Sequence, residues 1–165
     1  MDALFPSSTP THRSTVLRLT TMDKWDKRFL ELATLVGSWS KDPSTQVGAV
    51  VVRKDNTIAS VGYNGFPRFV RDDIELYHDR PTKLLRTVHA EMNAILSARE
   101  PLHGCKLYVS PLFPCANCAG AIIQAGIAHV VAQMSAPPEA WMASFEQSRQ
   151  MFAEAGVLVV PYPVE

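Results

Sequence analysis

His89 and Glu91 stand two residues apart in the stretch TVHAEMNAIL (87–96), and Cys115 and Cys118 are three apart in FPCANCAGAII (113–123). Each pair opens an apolar run and reads as a helix start. Cysteines at that spacing lie about one helical turn apart and can hold one ion. Unpaired N–H groups and the helix dipole favour the thiolate there, which is the ligand form. His89 adds a third donor. Two sulfurs and a nitrogen suit tetrahedral Zn²⁺ and leave a position for water, whose pKa zinc brings toward neutrality. Glu91, on the same turn as His89 and not needed as a ligand, can then carry protons between water, substrate and leaving group. A purely structural zinc would want a fourth ligand in place of that carboxylate. A redox dithiol is the competing reading of Cys-x-x-Cys, but it leaves His89 and Glu91 without a role.

The surrounding elements must bring these two helix starts together. Asp23 is placed to cap a first helix with Trp25, Phe29, Leu32 and Val36 on one face. The β-rich runs at 47–53 and 57–63 are separated by KDN and predict an antiparallel hairpin. Residues 64–83 read as a long irregular stretch, of the kind that binds something or orders against a partner. Beyond it the chain alternates: a helix over His89–Arg99, a strand at 106–110, a helix over Cys115–Ala125 stopped by Gly126, a strand at 128–133, a helix within 137–156 and a strand at 157–160. Such alternation demands parallel strands joined by crossover helices. The expectation is an α/β fold, a three-layer α/β/α sandwich around a five-stranded mixed sheet. Cys105, entering a strand, reads as a small buried hydrophobe. His103 and His129 read as surface or loop residues, and the stripe of Trp141, Phe145 and Phe152 as packing.

Residues 1–21 are rich in Ser, Thr and Pro and read as a flexible extension ahead of a single domain at 22–165. Apolar residues make up 47% and charged residues 19%, a globular balance. Sixteen basic residues match sixteen acidic ones, which disfavours a polynucleotide partner, since such proteins are usually basic. No apolar run approaches the roughly 20 residues of a membrane span. The N-terminus lacks the order of a secretory signal, and three cysteines do not make a disulfide framework, so the cytoplasm is the expected compartment.

The pattern His-x-Glu … Pro-Cys-x-x-Cys is the known signature of zinc nucleobase deaminases. With SKDPSTQVGAVVV (40–52), GYNGFP (62–67) followed by Asp72 and Asp73, HAEMNAIL (89–96), GCKLYVS (104–110) and FAEAGV (152–157), the chain resembles the deoxycytidylate (dCMP) deaminases from about Asp23 to Val160. That resemblance implies a cytidine deaminase-like fold and hydrolysis of dCMP to dUMP and ammonia by zinc-bound hydroxide, supplying dUMP for dTMP synthesis. It implies one zinc per chain on His89, Cys115 and Cys118, Glu91 as proton shuttle, and the backbone at Ala90 beside the base. It also implies a homo-oligomer, a hexamer in many members, with dCTP and dTTP as effectors. Gly62, Gly65, Asp72 and Asp73 are the candidate effector residues.

On their own chemistry, Ser40 and Lys41 are candidate phosphate contacts and Asn64 a contact to sugar or phosphate, with Arg68, Arg71 and Arg86 as candidates to complete the site. Other readings stay open. The substrate could be CMP, dCTP, cytidine or an adenosine of transfer RNA, and a non-catalytic zinc protein is the alternative from another class.

Overall fold

The computed structural model describes residues 21–133 and 139–162, so the expected N-terminal extension lies, but for Thr21, outside the described residues. Helix α1 (Lys24–Gly37) starts at Asp23, whose carboxylate accepts the N–H groups of Trp25 and Asp26 while Asp26 reaches back to the Asp23 N–H, a reciprocal capping box. The face it buries is turned from the expected one: Phe29 and Val36 are in the core with Leu30 and Ala33, whereas Trp25 is exposed. A polar residue causes the rotation. Asp26 is itself buried and accepts the Tyr108 hydroxyl at 2.8 Å and Lys106 Nζ at 3.3 Å, which turns this side of the helix to the sheet.

Strands β1 (Gly48–Val52) and β2 (Ile58–Tyr63) form the expected antiparallel hairpin. The chain then differs from expectation. Residues 64–83 are not wholly irregular, because α2 (Ile74–His78) and α3 (Arg80–Arg86) are built there. Both are too short to show a period, and Pro81 sits in the first turn of α3, where its fixed φ is helix-compatible.

Helix α4 (Ala90–Ser97), β3 (Lys106–Ser110), α5 (Ala116–Gln124), β4 (His129–Gln133), a 3₁₀ turn at Glu139–Trp141, α6 (Met142–Ala155) and β5 (Leu158–Tyr162) complete the order. The sheet runs β2-β1-β3-β4-β5, with β1 antiparallel to both neighbours and β3, β4 and β5 parallel. It is the five-stranded mixed sheet expected. Strand β1 alternates between two cores: Val50 and Val52 meet α1, and Ala49 and Val51 meet the side of α4 and α5. All five of its residues are buried because helices cover both faces. Gly126, just past α5, has φ +74°, the left-handed stop expected there. No helix among the described residues is long and apolar enough to cross a membrane.

One contact fixes how α4, and hence the site, sits on the sheet. A Cβ on Gly62 of β2 would fall 2.3 Å from the Ala94 nitrogen and 2.5 Å from the Ala90 oxygen. Strand and helix backbone touch here with no room for a methyl. Gly62→Ala is expected to destabilise the fold by about 3 kcal/mol, the upper end for overpacking. A urea midpoint unchanged from wild type would contradict that close approach.

Candidate active site

The two helix starts face each other at the carboxyl end of β3. Such ends, beside the point where strand order changes, are where open α/β sheets hold ligands. His89 is the residue before α4 and Cys115 the residue before α5, both extended, with Cys118 one turn into α5. His89 Nδ1 lies 3.5 Å from Cys115 Sγ and 3.5 Å from Cys118 Sγ, and the three donor atoms lie within 4.8 Å of one another. Bond lengths of about 2.3 Å to sulfur and 2.05 Å to nitrogen at tetrahedral angles give an S···N edge of about 3.5 Å. The donor set therefore fits zinc in number, type and spacing.

The protons follow the same geometry. Cys115 is held well below the usual thiol range by a hydrogen bond from Cys118 and by contact with His89, against the opposing cost of burial. Cys118 is pushed up by that same bond and by burial. His89 is raised by its bond to Cys115. Two thiols crowded against one imidazole suit a dication, which takes its ligands in the deprotonated form.

Glu91 is 4% exposed, and burial raises its pKa above the usual carboxylate range. It lines a cavity of about 160 Å³ together with His89, Ala90, Cys115 and Asn64. Trp141 also lines it, its ring set edge-on to His89 at 6.1 Å. The aromatic stripe thus divides: Phe145 and Phe152 pack in the core, and Trp141 is half-buried at the site. The scaffold is hydrogen-bonded in turn. Ser144 Oγ of α6 accepts the Ala116 N–H at 3.0 Å, satisfying one free donor at the start of α5. Val88, just before His89, exchanges backbone bonds with Gly65 at 2.8 and 3.1 Å. Asn93 ties α4 to Tyr63 at 2.8 Å. Ser144 and Asn93 carry no local sequence signal for these roles.

The other candidates disperse. Ser40 is buried and donates to the Asn64 carbonyl at 2.7 Å. Asn64 reaches the cavity, but its amide is committed: Oδ1 accepts the Val47 N–H at 2.8 Å and Nδ2 donates to the Thr45 carbonyl at 2.9 Å. Lys41 is exposed in an ion pair with Asp72 at 2.8 Å and does not line the cavity. Asp72 also accepts the Tyr77 hydroxyl, and Asp73 pairs with Arg71. Gly62 lies beneath α4 and Gly65 bridges to Val88. Arg68, Arg71 and Arg86 are exposed outside the cavity wall. Cys105 is buried in the core, and burial raises its thiol pKa. Two cations outside the sequence candidates line the cavity, Arg80 and Lys83; Lys83 is 8% exposed and donates to Asp42 Oδ1 and Ser44 Oγ, both at 2.9 Å.

Residues 23–134 match the family model described as the cytidine and deoxycytidylate deaminase zinc-binding region. The chain is 48% identical over 146 residues to a protein of Aliivibrio fischeri described as "Uncharacterized deaminase in luxG 3'region", covering 87% of this chain and 97% of that one. It is 50% identical over 111 residues to a probable deoxycytidylate deaminase of Caenorhabditis elegans, covering 65% of this chain and 56% of the relative. With the deoxycytidylate deaminase of Homo sapiens identity is 41% over 114 residues, covering 66% of this chain and 64% of the human one. The crystal structure of dCMP deaminase from the cyanophage S-TIM5 in complex with dCMP and dUMP has the same fold, with a TM-score of 0.65 at 23% identity over 87% of this chain and 100% of that one.

Proposed function

The chain belongs to the cytidine and deoxycytidylate deaminase family, and from that premise we propose that it hydrolyses dCMP to dUMP and ammonia, supplying dUMP for dTMP synthesis. One observation carries the reading: three zinc-type donors converge beside a buried carboxylate that is not among them. The substrate follows the names of the C. elegans and human relatives, of which this chain spans 56% and 64%.

His89, Cys115 and Cys118 would hold one zinc ion, which when bound supplies the Lewis acidity that makes water a nucleophile near neutral pH. The chain's own residues do the rest. Glu91 accepts the proton of the attacking water, passes it to N3 of the cytosine ring, and then carries the second proton to the 4-amino group. The C4–N bond breaks, a C4 carbonyl forms, and ammonia leaves. The Ala90 backbone beside Glu91 orients the base, and Trp141 and the apolar wall exclude bulk water. Burial of Glu91 suits this traffic, because it pushes the carboxyl above its ordinary range and so favours the proton-holding form that must later give the proton back.

Assays of ammonia release across cytidine, CMP, dCMP, dCTP and an adenosine-containing RNA oligonucleotide test the assignment. The highest kcat/KM is expected for dCMP, and release from the oligonucleotide alone would overturn it. The same reading carries a homo-oligomer regulated by dCTP and dTTP through the segment that bears Gly62, Gly65, Asp72 and Asp73. A sigmoidal dCMP rate curve that dCTP renders hyperbolic is the expected result there; a curve hyperbolic from the start and blind to dTTP would remove regulation.

A further inference from the structure

Arg80 and Lys83 stand three residues apart on α3, so both leave the same side of the helix. Both line the cavity that holds Glu91. Their charges are used differently. Lys83 is sealed in the wall and answered by Asp42 at 2.9 Å, so the pair adds little net charge. Arg80 is exposed and, among the described residues, enters no ion pair, whereas Arg53, Arg71 and Arg149 each meet a carboxylate. Thr45 also lines the cavity, and its hydroxyl has no protein partner among the described residues. The cavity wall thus offers a guanidinium outside any ion pair and a hydroxyl, while Asp42 in the same wall is neutralised by a buried ammonium.

We infer that Arg80 is the residue that reads the 5′-phosphate of the nucleotide, with Thr45 beside it and Lys83 shielding the phosphate from Asp42, so that α3 sets the preference for a nucleotide over a nucleoside. The inference rests on the deaminase reading above for the identity of the base. The guanidinium fork matches phosphate oxygens in pairs, which a lysine at the same position cannot do. Lys41, the candidate from the sequence, is spent on Asp72 outside the cavity.

Two measurements separate this from its premise. In kinetics, the ratio of kcat/KM for dCMP to that for deoxycytidine is expected to fall about ten- to hundredfold in Arg80→Ala, the range of a lost charged hydrogen bond. Arg80→Lys should fall between. Equal losses on both substrates, or no loss, would overturn the role, as would a wild type that ignores the phosphate. In titration calorimetry, which needs no turnover, dUMP is expected to bind Arg80→Ala about ten- to hundredfold more weakly than wild type. Equal dUMP affinity would refute the phosphate contact. Absence of turnover in wild type with this affinity difference intact would instead sink the deaminase premise and leave the phosphate site standing.

Discussion

Glu91→Gln is expected to retain zinc and fold while lowering kcat for deamination by about 10²–10⁴-fold, the span typical of general acid–base catalysis. Gln is nearly isosteric, and the side chain is buried, so the shape of the wall is conserved. The change removes a proton acceptor and replaces a carboxyl that burial holds above its ordinary range with an amide that does not titrate. Among the described residues nothing nearby can substitute. Asp42 is the other carboxylate lining the cavity, and it is occupied by Lys83, the Ser44 N–H and the Asn64 amide. Zinc stays because the converging donors are His89, Cys115 and Cys118. Turnover and metal content measured on the same preparation decide the matter. Loss of the metal with the activity would make Glu91 a ligand or a structural support. Activity within about threefold of wild type would leave the carboxylate without the proton-transfer role.

The metal centre was legible because its residues are chemically specific and their spacing becomes geometry by short rules. A Cys-x-x-Cys at a helix start sets both sulfurs on one side of a turn, and a histidine before another helix needs only one sheet crossover to meet them. The mixed sheet was legible from the β-rich runs and the strand–helix alternation. The wall opposite the metal was not. Lys41 and Lys83 are both lysines in short, unpatterned segments, and local sequence says nothing about which will be buried. Tertiary packing decides: Asp42 directs its carboxylate not to its neighbour Lys41 but to a lysine 41 residues further on. Asn64, the candidate contact to sugar or phosphate, lines the cavity while its amide braces the 42–47 loop, a tie that no local pattern announces. Arg80 lies in the stretch that reads as irregular, where a helix of seven residues is too short to show a period.

The buried pair Lys83–Asp42 carries the second large effect. Lys83→Met is expected to destabilise the protein by about 3–5 kcal/mol, the cost of leaving one partner of a buried ion pair uncompensated. Both side chains are 8% exposed, so water cannot replace the lost ammonium without opening the wall. Asp42 would keep the Ser44 N–H at 2.8 Å, the Thr45 N–H at 3.3 Å and a long contact to Asn64 Nδ2 at 3.4 Å, dipoles that cannot balance a full charge. The double variant Lys83→Met/Asp42→Asn removes both charges while leaving an amide that can still accept the Ser44 N–H, so most of the loss should be recovered, as buried pairs replaced together often are. A double-mutant cycle on urea midpoints reads the coupling directly. Lys41→Ala serves as the contrast, because its partner Asp72 is already solvated and little change is expected. A single-variant loss under about 1 kcal/mol would mean the lysine is solvated in solution. A double variant no better than the single would assign the cost to lost lysine packing rather than to the stranded charge, and would remove the shield that lets an anion approach this wall.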